Sequence, residues 1–226
     1  MRFPANLDLS KPAPKHLGER LTLPGQFKGY VELVAHAYKA APKDDGSFRA
    51  AFPELKKHIE KLFDRVQGHV RVVFSENGGV NGDYEDAADM SDKVRRTGVL
   101  YIDSSHNDHP MFDKLTNLKF RAVHDYLAHI GGDHAFDARG EIAAYNRHVK
   151  LAPPSTKPIL FTEVVGQASY YLTFGSFGPQ KTSTLFGFDY DHLGRVDPKE
   201  YARNFRAGQV PAEVRGYLTQ IAKADK

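Results

Sequence analysis

Residues 120–148, FRAVHDYLAHIGGDHAFDARGEIAAYNRH, hold four of the chain's eleven histidines, with His106 and His109 just upstream. Imidazoles and carboxylates gathered this closely point to a metal ion or an acid–base centre. The 226 residues include no cysteine. Any ion must therefore take nitrogen and oxygen ligands, which suits Zn2+, Mn2+, Fe2+ or, where carboxylates dominate, Mg2+. Asp125 and His129 stand at i and i+4, on one face of a helix, while His124 is turned about 100° from Asp125, at the edge of that face. His124 and His129 lie at i and i+5, which is not the spacing of the zinc-protease motif H-E-x-x-H. Glu141 and His148 lie at i and i+7 of the next helix, on one face but roughly 10 Å apart along the axis.

The following helix, KPILFTEVVGQASYYLTF, is apolar almost all round, the mark of burial on several sides. Glu163 lies in its middle, with Gln167 one turn on. A buried carboxylate is costly unless it is paired, protonated or bound to metal. Histidines on the two preceding helices are its expected partners, with an ion pair to Arg121 or Arg139 as the competing arrangement. The expected metal ligands are thus His124, Asp125, His129, His148 and Glu163. Glu141 is expected to activate water, Arg121 to neutralise an anionic group, and Gln167 to complete the catalytic set.

Each residue also has a structural reading. His129 lies in a last helical turn, where the dipole favours an imidazolium, and Glu141 lies in a first turn, where it favours a carboxylate. Asp125 can pair with Arg121 one turn back, and His148 can sit on the surface beside Lys150.

The elements that must position these groups follow from periodicity. Residues 26–41 and the stretch from Ser47 through Val66 have helical spacing. Residues 69–75 alternate and are β-branched, so they form a strand, and 98–103 form a second. A glycine-rich loop, ENGGVNGD, and a short helix over 84–96 connect them. Residues 115–130 form a helix stopped by Gly131-Gly132. Asp137 caps the next helix, Ser155 caps the third, and that one runs to about Phe174. A loop rich in Gly, Ser and aromatics follows, then short helices near 198–206 and 211–224. The fold class is α+β, predominantly α-helical, with a small β-sheet of two or three strands. Residues 1–25, with four prolines, read as an extended arm. Residues 26–226 read as a single globular domain, with the His/carboxylate site within 105–175.

The segments FRAVHDYLAH, ARGEIAAYNRH and TEVVGQASY resemble, in order and spacing, an uncharacterised family of phage and prophage proteins. Its members carry F-R-A-V-H-D-Y-F-G-H, then G-E-x-x-A-x-x-x-H, then T-E-T-R-G-Q-N-S. His109-Pro110 and Asn117 also match upstream positions, and the similarity runs from about Tyr84 to Gly178. Arg121, His124, Asp125, His129, Glu141, His148, Glu163 and Gln167 fall on the family's polar positions. The chain departs at Leu127-Ala128 for Phe-Gly, Val165 for Arg and Ala168 for Asn. The resemblance implies a phage origin and a shared polar site rather than a particular reaction.

A metal-dependent hydrolase acting on a phosphoester, nucleotide or amide is the leading functional expectation. The His124-Asp125 pair also looks like the centre of HD-type phosphohydrolases, with His109 as an upstream histidine. A ferritin-like di-iron oxidase needs two E-x-x-H pairs, and here Ala144 and Gly166 stand where those histidines belong. A phage structural or host-interaction protein is the remaining alternative, its arm and aromatic loop suited to a phage or host protein partner. The net charge of +3 and scattered basic residues give no strong nucleic-acid signal, and the glycine loop lacks the Lys-Ser/Thr of a P-loop. The first residues contain no apolar core of a signal peptide, and no stretch reaches the roughly 20 apolar residues of a membrane span. A cytoplasmic or virion-associated location is expected.

Overall fold

Helix α1 (Pro24–Ala40) is deeply buried between Tyr30 and Tyr38, with Tyr30, Leu33, Val34 and Tyr38 sealed from solvent. The structure is a computed structural model and describes residues 24–76, 84–105, 107–193 and 212–224. All but the last two residues of the expected N-terminal arm therefore lie outside the described residues. Those two, Pro24 and Gly25, already belong to α1. The expected glycine-rich loop lies mostly outside too, and so does the helix near 198–206.

Helix α2 (Phe52–Gln67) buries Leu55, Ile59, Leu62, Phe63 and Val66, the single stripe that a 3.6-residue period makes. It starts later than expected, at the turn that puts Pro53 in its first positions. There the missing proline N–H leaves no donor unsatisfied. Strands β1 (Arg71–Ser75) and β2 (Val99–Asp103) pair in parallel, Arg71 opposite Val99 and Ser75 opposite Asp103. A parallel pair needs a crossover. Helix α3 (Ala87–Thr97) supplies it, capped by the Asp86 side chain and ended by Gly98 at φ +66. The sheet has two strands among the described residues.

Helix α4 (Lys114–His124) begins at Asp113, whose side chain accepts from Thr116 N. It runs without a break into a π-helical turn, Asp125–Ile130. Helix α5 (Ala138–Val149) is capped by Asp137 as expected. Next come a single 3-10 turn, Pro154–Thr156, and α6 (Lys157–Leu160). A second π-helical turn, Phe161–Gly166, leads into α7 (Gln167–Phe174), which ends at Gly175 with φ +76. Helix α8 (Ala212–Ala224) lies near the C-terminus.

Two expected boundary signals are corrected. Gly131 keeps right-handed helical angles, and the left-handed residue that stops the helix is Asp133 at φ 55. Ser155 caps nothing: its hydroxyl donates to the Glu54 carboxylate, tying the 3-10 turn to α2.

Two hydrophobic clusters share the interior. One joins α1, α5, the α6–α7 helix, the loop after it and α8. The other joins the sheet with α3, α4 and the second half of α2. The loop after α7 straps across the end of α1. Lys181 Nζ donates to the carbonyls of Lys39 and Ala41, and Ser183 Oγ donates to Pro42 O. A lysine there satisfies orphan carbonyls at the negative end of the helix dipole. Among the described residues, no helix is long and apolar enough to cross a membrane.

Candidate metal centre

The two π turns lie on the helices that carry the site residues. In an α-helix, residues at i and i+5 point about 140° apart. The i→i+5 bonding of the π turn widens the coil, so His124 and His129 come to face each other. Their Nε2 atoms are 2.9 Å apart. The i+5 spacing that disqualifies a zinc-protease helix thus builds a histidine pair here.

Each imidazole is oriented by its other nitrogen. His129 Nδ1–H donates to the His134 carbonyl at 2.8 Å, which leaves the Nε2 lone pair aimed at His124. The Phe136 ring packs on His129 at 4.6 Å, and the His129 side chain is fully buried. Gly132 makes room for the turn: a Cβ there would lie 2.6 Å from the His134 ring. His124 Nδ1 lies 3.2 Å from His148 Nε2, the two rings within 6° of parallel. Glu141, in the first turn of α5, closes the set. Its Oε2 is 3.3 Å from His124 Nε2 and its Oε1 is 3.5 Å from His129 Nε2.

Among the described residues, His124, His129 and Glu141 are the group whose ligand atoms all lie within 4.8 Å of one another. Two imidazole nitrogens and a carboxylate facing inward need positive charge between them, either a proton or a cation. Burial disfavours a charged His124, but the hydrogen bond and charge of Glu141, with the charge of Asp125, outweigh it and raise its pKa. Burial likewise pushes Glu141 up, and the His124 contact more than reverses that. His129 is pushed down to about 4 by burial and then by the charge of His124. His148 is driven well below its usual value by burial and the neighbouring imidazoles. A proton on His124, favoured by Glu141, and a cation therefore compete for the same place. Tetrahedral ligation at about 2.0–2.1 Å separates ligand atoms by roughly 3.3 Å. Each Glu141 oxygen stands near that distance from one imidazole, Oε2 from His124 and Oε1 from His129. Ligation through a single oxygen therefore needs a small turn of the carboxylate, and the histidine pair has to open by about 0.4 Å.

The remaining expected residues fall around this group. Glu141, expected to activate water, is one of the three residues of this group. His148, expected as a ligand, stands behind His124 as the partner of its Nδ1. Asp125 lines the adjoining cavity. Burial, the largest influence, and the charge of Glu141 raise it to about 6 against the pull of His124. Arg121 also lines the cavity, with Nη1 donating to Asp103 O at 3.0 Å. This ties α4 to the end of β2.

Glu163 has other partners than those expected. Its Oε1 is 2.9 Å from His109 Nε2, and its Oε2 accepts from Gln167 Nε2 at 2.6 Å. His109 Nδ1 accepts the backbone N–H groups of Met111 and Phe112, so its proton is on Nε2 and it donates to the carboxylate. Gln167 also donates to Gln180 Oε1 at 2.9 Å. Glu163 is only 7% exposed, as its apolar helix predicts, but the imidazole that compensates it comes from the loop before α4. The His109-Pro110 dipeptide was the available signal. The His134 carbonyl, a backbone atom, has no signature in residue type.

These groups share a cavity of about 460 Å3, lined at its polar end by Arg121, His124, Asp125, Glu141, Glu163 and Gln167. Comparison with protein-family models, curated proteins and solved structures finds no match.

Proposed function

We propose that the chain is a metal-dependent hydrolase of phage origin, with His124, His129 and Glu141 holding one divalent ion. The observation that carries the reading is the convergence of two oriented imidazole nitrogens and a carboxylate at the polar end of a cavity. Three protein ligands leave a tetrahedral ion an open position, and an ion so held supplies an acidified water and a Lewis acid. Zn2+ suits this ligand set best, and Mn2+ and Fe2+ share it. Asp125 lies on the same cavity wall and takes the proton of the attacking water, the role expected of Glu141. Arg121 steadies developing negative charge on the cleaved ester, phosphoester or amide. His148 holds the His124 ring in place, as the outer partners of metal-ligating histidines do. The phage origin is supported by the three-part motif alone.

Metal analysis of the purified protein tests the site. A divalent ion is expected in the parent and in His192→Ala, whose ring is exposed and bonded to Asp189. It is expected to be lost in His129→Ala and Glu141→Gln. Turnover of ester, phosphoester and amide substrates is expected to vanish in Asp125→Asn with the ion still bound. A folded parent that takes up no metal would leave an architectural polar network, and a fully active Asp125→Asn would remove the assigned base.

A further inference from the structure

The cavity is graded along one helix. Glu163, Gln167 and Tyr171 follow at i, i+4 and i+8 and all line it. Each stands about one turn above the last, so the three side chains climb one wall of the cavity. Exposure rises in the same order, from 7% at Glu163 to 44% at Tyr171. Among the described residues six large hydrophobic side chains are exposed, and four of them, Phe136, Tyr171, Leu172 and Phe177, line this one cavity. Phe177 is 73% exposed, and its ring stacks on Tyr171 at 4.6 Å. Apolar surface left in water and gathered at the mouth of a polar-floored cavity is the pattern of a ligand site.

The deep end has a definite preference. His109 and Gln167 pin both oxygens of Glu163, so the carboxylate cannot turn away from the cavity. His109 Nδ1 accepts two backbone N–H groups, which fixes its ring with Nε2 towards the carboxylate. Each Glu163 oxygen accepts one hydrogen bond there, and a carboxylate so held has lone pairs left for a further donor. Asp103, Asp125 and Glu141 line the same space, with Arg121.

We propose, building on the hydrolase reading, that the cavity takes an amphipathic cation, with an ammonium or guanidinium head at Glu163 and an apolar body against Tyr171 and Phe177. The substrates favoured are then amides or esters bearing a positive charge and an aromatic or alkyl group. Anionic phosphoesters meet a wall of carboxylates.

Calorimetric titration with 4-phenylbutylamine as the probe, beside 4-phenylbutyrate and phenyl phosphate, tests this on the full chain. The amine is expected to bind. Glu163→Gln, which keeps an acceptor for His109, and the double variant Tyr171→Ala/Phe177→Ala are each expected to weaken it by about tenfold or more. His192→Ala, at an exposed side chain outside the cavity, is expected to retain amine binding. The proposal is overturned if either anion binds as tightly as the amine. It also fails if both substitutions leave the amine's Kd unchanged. Binding is read without turnover, so a protein that binds the amine but no metal would sink the hydrolase reading and leave this one standing.

Discussion

Gly140→Ala sets two effects of opposite sign against each other. Inside a helix, alanine is ordinarily favoured over glycine by up to about 1 kcal/mol. Here an added Cβ would lie 1.7 Å from the Ala135 carbonyl oxygen and 2.6 Å from its carbon. Ordinary contact requires roughly 3.4 Å, so the 133–136 turn has to move by more than 1.5 Å. Backbone, unlike the end of a flexible side chain, cannot yield so far cheaply. Overpacking of this kind costs about 1–3 kcal/mol or more. Moving the turn also breaks the His134 O···His129 bond, worth about 1 kcal/mol. With the alanine gain subtracted, Gly140→Ala is destabilised by about 1–3 kcal/mol, which for a chain of this size lowers Tm by roughly 2–12 °C. Thermal melts of the two proteins without metal check this. Because the displaced turn orients His129, metal affinity should fall with it. A Gly140→Ala protein as stable as its parent would refute the reasoning about both the turn and the ligand it positions.

Two further outcomes follow from the same cluster. Metal at 100-fold over its Kd adds about 2.7 kcal/mol of stability, raising Tm by roughly 5–11 °C. Chelator and metal titrations in a thermal scan measure this, and an equal rise in His129→Ala would place the ion elsewhere. In the metal-free protein, His129 at about 4 binds a proton less readily than in the unfolded chain, where it titrates near 6.5. The unfolded state therefore takes up more protons, and stability is lost as pH falls from about 6.5 towards 4, by up to about 3 kcal/mol from this residue. His124, raised by Glu141, acts in the opposite sense, losing its contribution as pH rises through its folded value. Urea denaturation across that window, compared with His129→Gln, isolates the His129 part. An unchanged pH slope in the variant would contradict it.

The parts of the fold set by repeating pattern were legible in the sequence. The stripe of α2, the crossover that makes the two strands parallel, and the Asp137 cap all follow from local periodicity or a single side chain. Glu163 was legible as buried because its helix is apolar on every side. Its partner was not, since the His109-Pro110 dipeptide marks a histidine of interest but a separation of 54 residues hides which carboxylate it meets. His124 and His129 were both expected as ligands, but the way their rings face each other was hidden for a different reason. Reading a helix at 3.6 residues per turn assumes the α form, and the π turn breaks that assumption where the chemistry lies. Glu141, expected to activate water, stands against both imidazoles because the π turn brings them together, and no spacing in the sequence shows that proximity.

The turn at Asp125–Ile130 makes the site depend on how many residues the helix contains as well as on which they are. A π turn is an α-helix with one surplus residue. Removing any one residue between Asp125 and Ala128 lets the backbone relax to the commoner coil and shortens the interval between the two imidazoles. Everything beyond is rotated by about 100°, Gly132 and the turn carrying the His134 carbonyl included. Conservative replacements at Tyr126, Leu127 and Ala128 cost packing alone, whereas a single-codon deletion takes the supports of His129 out of phase. Chains built on this plan should vary there in side-chain size and hold their length.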